Sequence, residues 1–238
     1  MAVGVDQFAT AGAGPAWPAL LREALPQVAD TIGTDQFARR LIEALRLVLS
    51  FDWWMVMVYH PQANPDMLDD NFTGSWRERG LTTYVDAFFV LDPFYIMSRS
   101  LDHPEVCRLG DIAPDGFLES EYHRAHYVTG MIGDEVGFLW PLEPGITFAV
   151  SLERSQNGAP FSPDDVRNLE TAQPLLYVLA RKHWAAVHSR SAGVAPLELG
   201  RLVQEAAAQF GSDTLTPREC EVVKLVLRGY STKSVSQA

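Results

Sequence analysis

Residues 51 to 59 read FDWWMVMVY and run straight into His60-Pro61. An apolar run this short, dense in aromatic and β-branched side chains and closed by proline, predicts a buried strand rather than a helix. Alternation along the strand puts Trp53, Met55, Met57 and Tyr59 on one face and Trp54, Val56 and Val58 on the other. Both faces are apolar, so both need cover, and helices are the expected source of it.

Working outward, helical spacing precedes the strand at 19–30 and 35–50. In the second of these Phe37, Leu41, Leu45 and Val48 share a face, while Arg39, Arg40, Glu43 and Arg46 lie mostly elsewhere. Further strands are predicted at 106–109, 134–141 and 146–153, the last two joined by a Glu143-Pro144-Gly145 hairpin turn. Helical stretches fall at 76–90, 93–100, 117–128 and 163–188. The fold class is therefore α+β, an antiparallel sheet flanked by helices on both faces. Residues 1–18, rich in Ala, Gly and Pro, read as a flexible leader, and 19–188 as the main domain. SRSAGVAPLELG, 189–200, reads as a linker, followed by a short amphipathic helix through Phe210 within a second module, 201–238.

The 238 residues, 47% of them hydrophobic, suffice for one substantial core plus a small module. No apolar run approaches the roughly 18 residues that cross a bilayer, and the N-terminus lacks the basic start and apolar stretch of a signal peptide. A cytoplasmic protein is expected. Cys107 and Cys220 are far apart with no CxxC partner, which reads as two reduced thiols. A net charge of −11 excludes a surface that grips nucleic acid everywhere. From Asp213 onward, though, four cations (Arg218, Lys224, Arg228 and Lys233) outnumber three acids, so any DNA contact belongs to that faintly basic end.

That end carries a capping box. Thr216 can accept from the Glu219 amide while Glu219 reaches back, with Pro217 where no N–H is needed. Val222, Val223, Leu225 and Val226 then form an apolar face, Gly229 is a left-handed stop, and Ser231 can cap a second helix. In this order Leu215 to Glu219, Gly229 and Ser231 to Ala238 resemble the opening of a LuxR-type helix-turn-helix. The departures are Ser234, where that family usually has Glu, and Ser236, where it has a small apolar residue. The resemblance implies DNA contacts from Thr216, Arg218 and Lys233 in a complete protein. The recognition helix that enters the major groove is absent. This chain is therefore expected to be a truncated form that does not itself read promoter DNA.

The resemblance extends over 35–188, whose element order is similar to the α-β-α, GAF/PAS-like sensor domain of LuxR-type regulators. WRERGLTTYVDAFFVLDPF keeps the aromatic helix followed by Asp-Pro of the quorum-sensing members, which implies that Asp92 accepts a hydrogen bond from a ligand amide. Asp92 before Pro93 is also an ordinary helix start. Asn71-Phe72 and Trp76 resemble further pocket residues of acyl-homoserine-lactone receptors, but Gly80 replaces a Tyr and Cys107-Arg108 occupies the place of a later Trp. These losses shift the expected signal to a small, partly apolar or aromatic molecule held by Trp54, Trp76, Tyr84, Phe88, Phe94, Tyr122 and Trp140 around Asp92. Each of these aromatics also reads as ordinary core. His123 and His126 in ESEYHRAHY have a spacing that can hold a metal, with a solvated helix face as the plainer account.

No phosphate-binding Gly loop, GxSxG elbow or Cys-His nucleophile context is present, so no enzyme and no cofactor are expected. The resemblance implies a ligand-binding transcriptional regulator acting as a homodimer. Leu175, Leu176, Leu179 and Val187 of the long helix are candidates for a seam, and Pro174 for a kink. An acyl-homoserine-lactone receptor, a ligand-independent interaction module and a small-molecule enzyme are the alternatives.

Overall fold

The computed structural model describes residues 16–74, 76–188 and 216–236. Its sheet has five antiparallel strands, β1 Trp53–Tyr59, β2 Asp66–Asp70, β3 Glu105–Arg108, β4 Ile132–Glu143 and β5 Ile146–Ser155, in the order β2-β1-β5-β4-β3. The hairpin turns at Gly145, whose φ of +78° favours glycine. Helices α1 Trp17–Ala29, α2 Phe37–Leu45 and α7 Pro163–His188 cover one face, packing on Trp54, Val56, Val58, Phe138, Trp140 and Phe148. Short helices cover the other, where Met55, Met57, Tyr59, Leu139 and Ala149 point. These are α3 Thr82–Asp86, α4 Pro93–Ser98, α5 Leu109–Ile112 and α6 Glu121–His123. The expected class, with helices on both faces, is the observed one.

Several elements differ from the sequence reading. The leader ends sooner, because Trp17 opens α1 and its indole is buried. Strand β2, DMLDD, was not expected: three aspartates depress strand propensity, but this is an edge strand, where charge is tolerated and guards against edge-to-edge pairing. The helix expected over 76–90 is a π-helical segment Trp76–Leu81, then α3, then a 3₁₀ turn Phe88–Leu91. That over 117–128 is likewise split, ending in a second π-helical segment, Arg124–Val128. Its ESEYHRAHY stretch has a solvated side, Glu119, Glu121 and Arg124, and a buried one, Tyr122, His126 and Tyr127.

Helix α7 runs through Pro174 without interruption. Leu176 is buried against the sheet and Leu179 packs partly against the same core, which removes Leu176 from any seam between subunits, whereas Leu175 and Val178 are exposed. No helix among the described residues is long and apolar enough to cross a membrane. The expected linker at 189–200 and the helix through residue 210 lie outside the described residues.

The C-terminal pair, α8 Pro217–Leu227 and α9 Thr232–Val235, has its predicted caps. The Thr216 N–H donates to Glu219 Oε2 at 2.7 Å and the Glu219 N–H to Thr216 Oγ1 at 3.4 Å. Gly229, at φ +88°, ends α8 in a Schellman turn, with Tyr230 N donating to the Leu225 carbonyl and Gly229 N to that of Val226. The Ser234 amide donates to Ser231 Oγ at 3.2 Å.

This turn sits on the sheet-bearing body. A Cβ on Gly229 would lie 2.9 Å from the Phe117 Cα, so only glycine permits the approach. Asp115 accepts from the Ser231 N–H at 3.0 Å, the Ser231 hydroxyl at 2.5 Å and the Ser234 hydroxyl at 2.6 Å, which together hold its carboxyl well below the usual range. Ser234, one of the departures from the helix-turn-helix pattern, thus serves a contact with the body. Asp115→Ala is expected to speed amide exchange across 231–235 while leaving exchange in the strands unchanged; unaltered exchange at 231–235 would refute the contact.

Candidate functional site

The helix-covered face of the sheet that carries Met55 and Met57 also carries its polar groups. Register pairs Trp53 with Glu153 and Glu153 with Glu135 in one row, and Met55 with Ser151 and Ser151 with Gly137 in the next. Gly137 is required there, since a Cβ would lie 2.7 Å from the Val150 carbonyl oxygen and 3.2 Å from the Phe94 ring.

Asp92 enters this space from above. It is the N-cap of α4, its Oδ1 accepting from the Phe94 N–H at 2.8 Å, as an Asp-Pro helix start dictates. Its Oδ2 accepts from the Tyr84 hydroxyl at 2.6 Å and the Tyr59 hydroxyl at 3.2 Å, and the two hydroxyls lie 2.8 Å apart. Burial raises the Asp92 pKa, opposed by the bonds from Tyr84, Phe94 and Tyr59. The Tyr122 hydroxyl is near enough to favour the same carboxylate but makes no hydrogen bond of ordinary geometry.

Glu135 accepts from the Tyr127 hydroxyl at 2.5 Å and from the Ser151 hydroxyl. Burial, and then the charge of Asp92, pushes its carboxyl up to about 8. Glu153 is fully buried with neither oxygen hydrogen-bonded, and burial followed by Glu135 and Asp92 raises it well above the ordinary range. His126 lies among the rings of Tyr84, Tyr122 and Tyr127, stacked on Tyr122 at 5.4 Å, and burial pushes it down to about 3, so it is neutral. The space left among Met55, Met57, Tyr84, Asp92, Glu135 and Ser151 is about 10 Å³, no more than one water occupies. Anything larger enters only if side chains move.

A groove of about 340 Å³ lies beside this cluster, lined by Trp76, Arg79, Gly80, Thr83, Phe88 and His126 among others. The two π-helical segments supply its walls, a distortion that recurs where helices serve a site. Trp76 lies over glycine on two sides: a Cβ on Gly80 would be 3.0 Å from its ring and one on Gly130 2.5 Å from Nε1. Gly80, where the resemblance leads one to expect Tyr, is thus what lets the indole lie flat. Trp76 Nε1 is buried with no acceptor. A wider depression of about 490 Å³ runs along β2, but both of its arginines are already paired, Arg39 with Asp69 and Arg77 with Asp70.

Of the expected site residues, the structure brings Asp92, Tyr84, Phe94 and Tyr122 together and sets Trp76 and Phe88 at the groove. Trp54 and Trp140 do not belong with them. Both point to the opposite face, where Trp54 Nε1 donates to Asp69 at 2.7 Å and Trp140 Nε1 to Gln173 at 3.2 Å. Strand alternation already separates Trp54 from Trp53, Met55 and Met57, so its inclusion contradicted the period of two. Glu135, Glu153, Ser151, Tyr59 and Tyr127 were missed. The available signal was a lone Glu inside each apolar strand, DEVGFLW and VSLER, at inward parity.

Cys107 and Arg108, in place of the expected Trp, have structural partners: burial pushes the thiol up to about 12, and Arg108 pairs with Asp134 at 2.9 Å. His123 stacks on Tyr127 and His126 on Tyr122, and no group of three or more potential metal ligands converges among the described residues. Of the residues expected to meet DNA, Thr216 is engaged in its cap, Arg218 pairs with Glu221 at 2.7 Å, and Lys233 is exposed.

No family model matches the chain. It is 31% identical over 127 residues, 52% of its length, to a putative HTH-type transcriptional regulator from the exeN 3′ region of Aeromonas salmonicida, and the match spans 65% of that relative's length. Among solved structures it is similar to the VqsR LBD domain of Pseudomonas aeruginosa, with a TM-score of 0.61 and 22% identity over 73% of this chain and 99% of that one. A second likeness is to CepR2 of Burkholderia cenocepacia, an N-acylhomoserine lactone dependent LuxR family transcription factor. There the TM-score is 0.52 at 18% identity, over 75% of this chain and 99% of that one. The body has the fold of these two proteins.

Proposed function

We propose that this chain belongs to a LuxR-type transcriptional regulator: the body senses a small molecule, and its occupancy, within a homodimer, governs a C-terminal helix-turn-helix of which this chain carries the opening and with which the complete protein binds promoter DNA. The observation that carries this reading is the direct attachment of the capped α8–α9 pair to the body through Asp115, Ser231 and Ser234. A regulator needs such a joint, because a ligand acts only through a difference in affinity between two arrangements of the chain. Leu175 and the half-buried Val187 remain candidates for a subunit seam on α7, and the exposed Val178 joins them.

Native mass spectrometry of the purified chain tests both parts. The expected spectrum shows a dimer carrying a retained small molecule. A monomer would remove the homodimer, and a bare chain that no added metabolite extract loads would remove the sensor.

An acyl-homoserine-lactone receptor is the second reading. Two features favour it: the buried indole N–H of Trp76 without an acceptor, a donor for a ligand carbonyl, and the buried Asp92 carboxylate. Against it, both Asp92 oxygens already accept bonds from Tyr84, Tyr59 and Phe94.

A further inference from the structure

Glu135 and Glu153 stand directly opposite each other on neighbouring strands, on a face closed to solvent. Like charges so placed destabilise a sheet. Asp92 joins them from the helical layer, lining the same small cavity as Glu135. Among the described residues no arginine or lysine pairs with any of the three. Both Glu153 oxygens and the Tyr122 hydroxyl lack hydrogen-bond partners although they are almost wholly buried. Interiors rarely leave such groups unsatisfied, because each costs free energy that packing must offset.

What these groups lack is a donor, and preferably a cation. No group of three or more potential metal ligands is placed to hold a metal ion among the described residues, whereas an ammonium, bonding through separate N–H groups, needs no common point of coordination. The row Glu135–Glu153 continues across the sheet to Trp53, which opens an aromatic stack with Phe72 and Trp76, at ring separations of 6.4 and 4.3 Å. Aromatic faces attract organic cations.

We propose that the buried cluster binds an organic ammonium, its N–H groups donating to Glu135 and Glu153 and its aromatic or aliphatic body lying against the Trp53–Phe72–Trp76 stack. This deepens the sensor reading above and rests on it. Entry runs from the groove, whose floor is His126. That ring and Tyr122, stacked on it, must swing aside to join groove and cluster. Inside, the ammonium faces Asp92, Glu135 and Glu153, the phenols Tyr59, Tyr84, Tyr122 and Tyr127, and neutral His126. Binding therefore converts one carboxylic acid of the pair to a carboxylate, and its proton leaves to solvent.

The full chain would be titrated calorimetrically at pH 7 with 2-phenylethylamine, its neutral isostere 2-phenylethanol, and N-octanoyl homoserine lactone, each in phosphate and in Tris. The amine is expected to bind at least about tenfold more tightly than the alcohol, as one charge-assisted bond supplies. The apparent enthalpy should differ between buffers by the release of about one proton. Glu153→Gln, and separately Glu135→Gln, should weaken the amine about tenfold or more and leave the alcohol unchanged. Should either variant misfold, the buffer dependence of the unaltered chain decides.

Alcohol or lactone binding as tightly as the amine, or Gln variants that keep the amine's affinity, would overturn the ammonium and leave the sensor standing. If none of the three binds, the molecule retained in the native mass spectrum decides: a basic nitrogen supports the proposal and its absence overturns it. A chain that binds nothing and retains nothing overturns both readings.

Discussion

Raising the pH from about 6.5 to 8.5 is expected to destabilise the chain, with Glu135 alone accounting for about 2 kcal/mol. Its folded pKa, pushed up to about 8, lies far above that of an unfolded glutamate, so the folded form keeps a proton that the unfolded form has already released. Stability therefore falls as pH rises through this window and levels off above the folded pKa. Asp92 and Glu153, also raised, act in the same direction. His126 and His183, pushed down to about 3 and about 4, act only below the ordinary histidine range, where the unfolded chain takes up protons that the folded one refuses. At acid pH the two histidines therefore oppose the carboxyls, while above the ordinary histidine range the carboxyls act alone. Urea unfolding at the two pH values measures the alkaline limb. The Glu135→Gln, Glu153→Gln double variant should flatten it and be the more stable protein at pH 8.5. Equal stability of the unaltered chain at both pH values would show that the carboxyls are not buried as described.

Trp140→Ala should cost about 3–5 kcal/mol, a large share of the stability of a domain this size. The indole is fully buried against Phe138, Phe148 and Tyr177, at ring separations of 4.8, 5.8 and 6.2 Å, and its truncation also leaves Gln173 without a donor. Trp140→Phe, which keeps most of the volume, should cost less and leave amine or lactone affinity unchanged, because the residue faces α7 rather than the Asp92 cluster. Denaturant midpoints and calorimetry on the two variants separate the roles. A well-folded Trp140→Phe that lost ligand affinity would return this tryptophan to the ligand site.

Much of the site was legible one residue at a time. Asp92 before Pro93 declares a helix cap, and the bond from the Phe94 amide is that cap. Whether the other oxygen meets a ligand or a phenol depends on Tyr59 and Tyr84, which reach it from a strand and a separate helix. The list of aromatics failed at Trp54 and Trp140 because aromatic content says nothing about which side of a sheet a ring occupies. Glu135 and Glu153 escaped notice for a related reason. Each reads by itself as a single charge in an apolar strand, and only their cross-strand pairing under a helical layer makes them a buried couple.

By itself the sequence determined what short-range physics controls. The period of two in FDWWMVMVY set a strand apolar on both faces, Gly145 set the hairpin, and Thr216, Glu219, Gly229 and Ser231 set the ends of the C-terminal helices. These follow from side-chain alternation and from hydrogen bonds between residues a few positions apart. Tertiary structure alone decided the rest: the acidic edge strand β2, the π-helical breaks beside Trp76 and His126, which helices cover each tryptophan, the seating of Ser231 and Ser234 on Asp115, and the burial of three carboxyls on one side of the sheet. Each of these depends on strand register and on which helix covers which face, energies shared between distant segments that a local pattern can hint at, as the parity of Glu135 and Glu153 does, but does not decide.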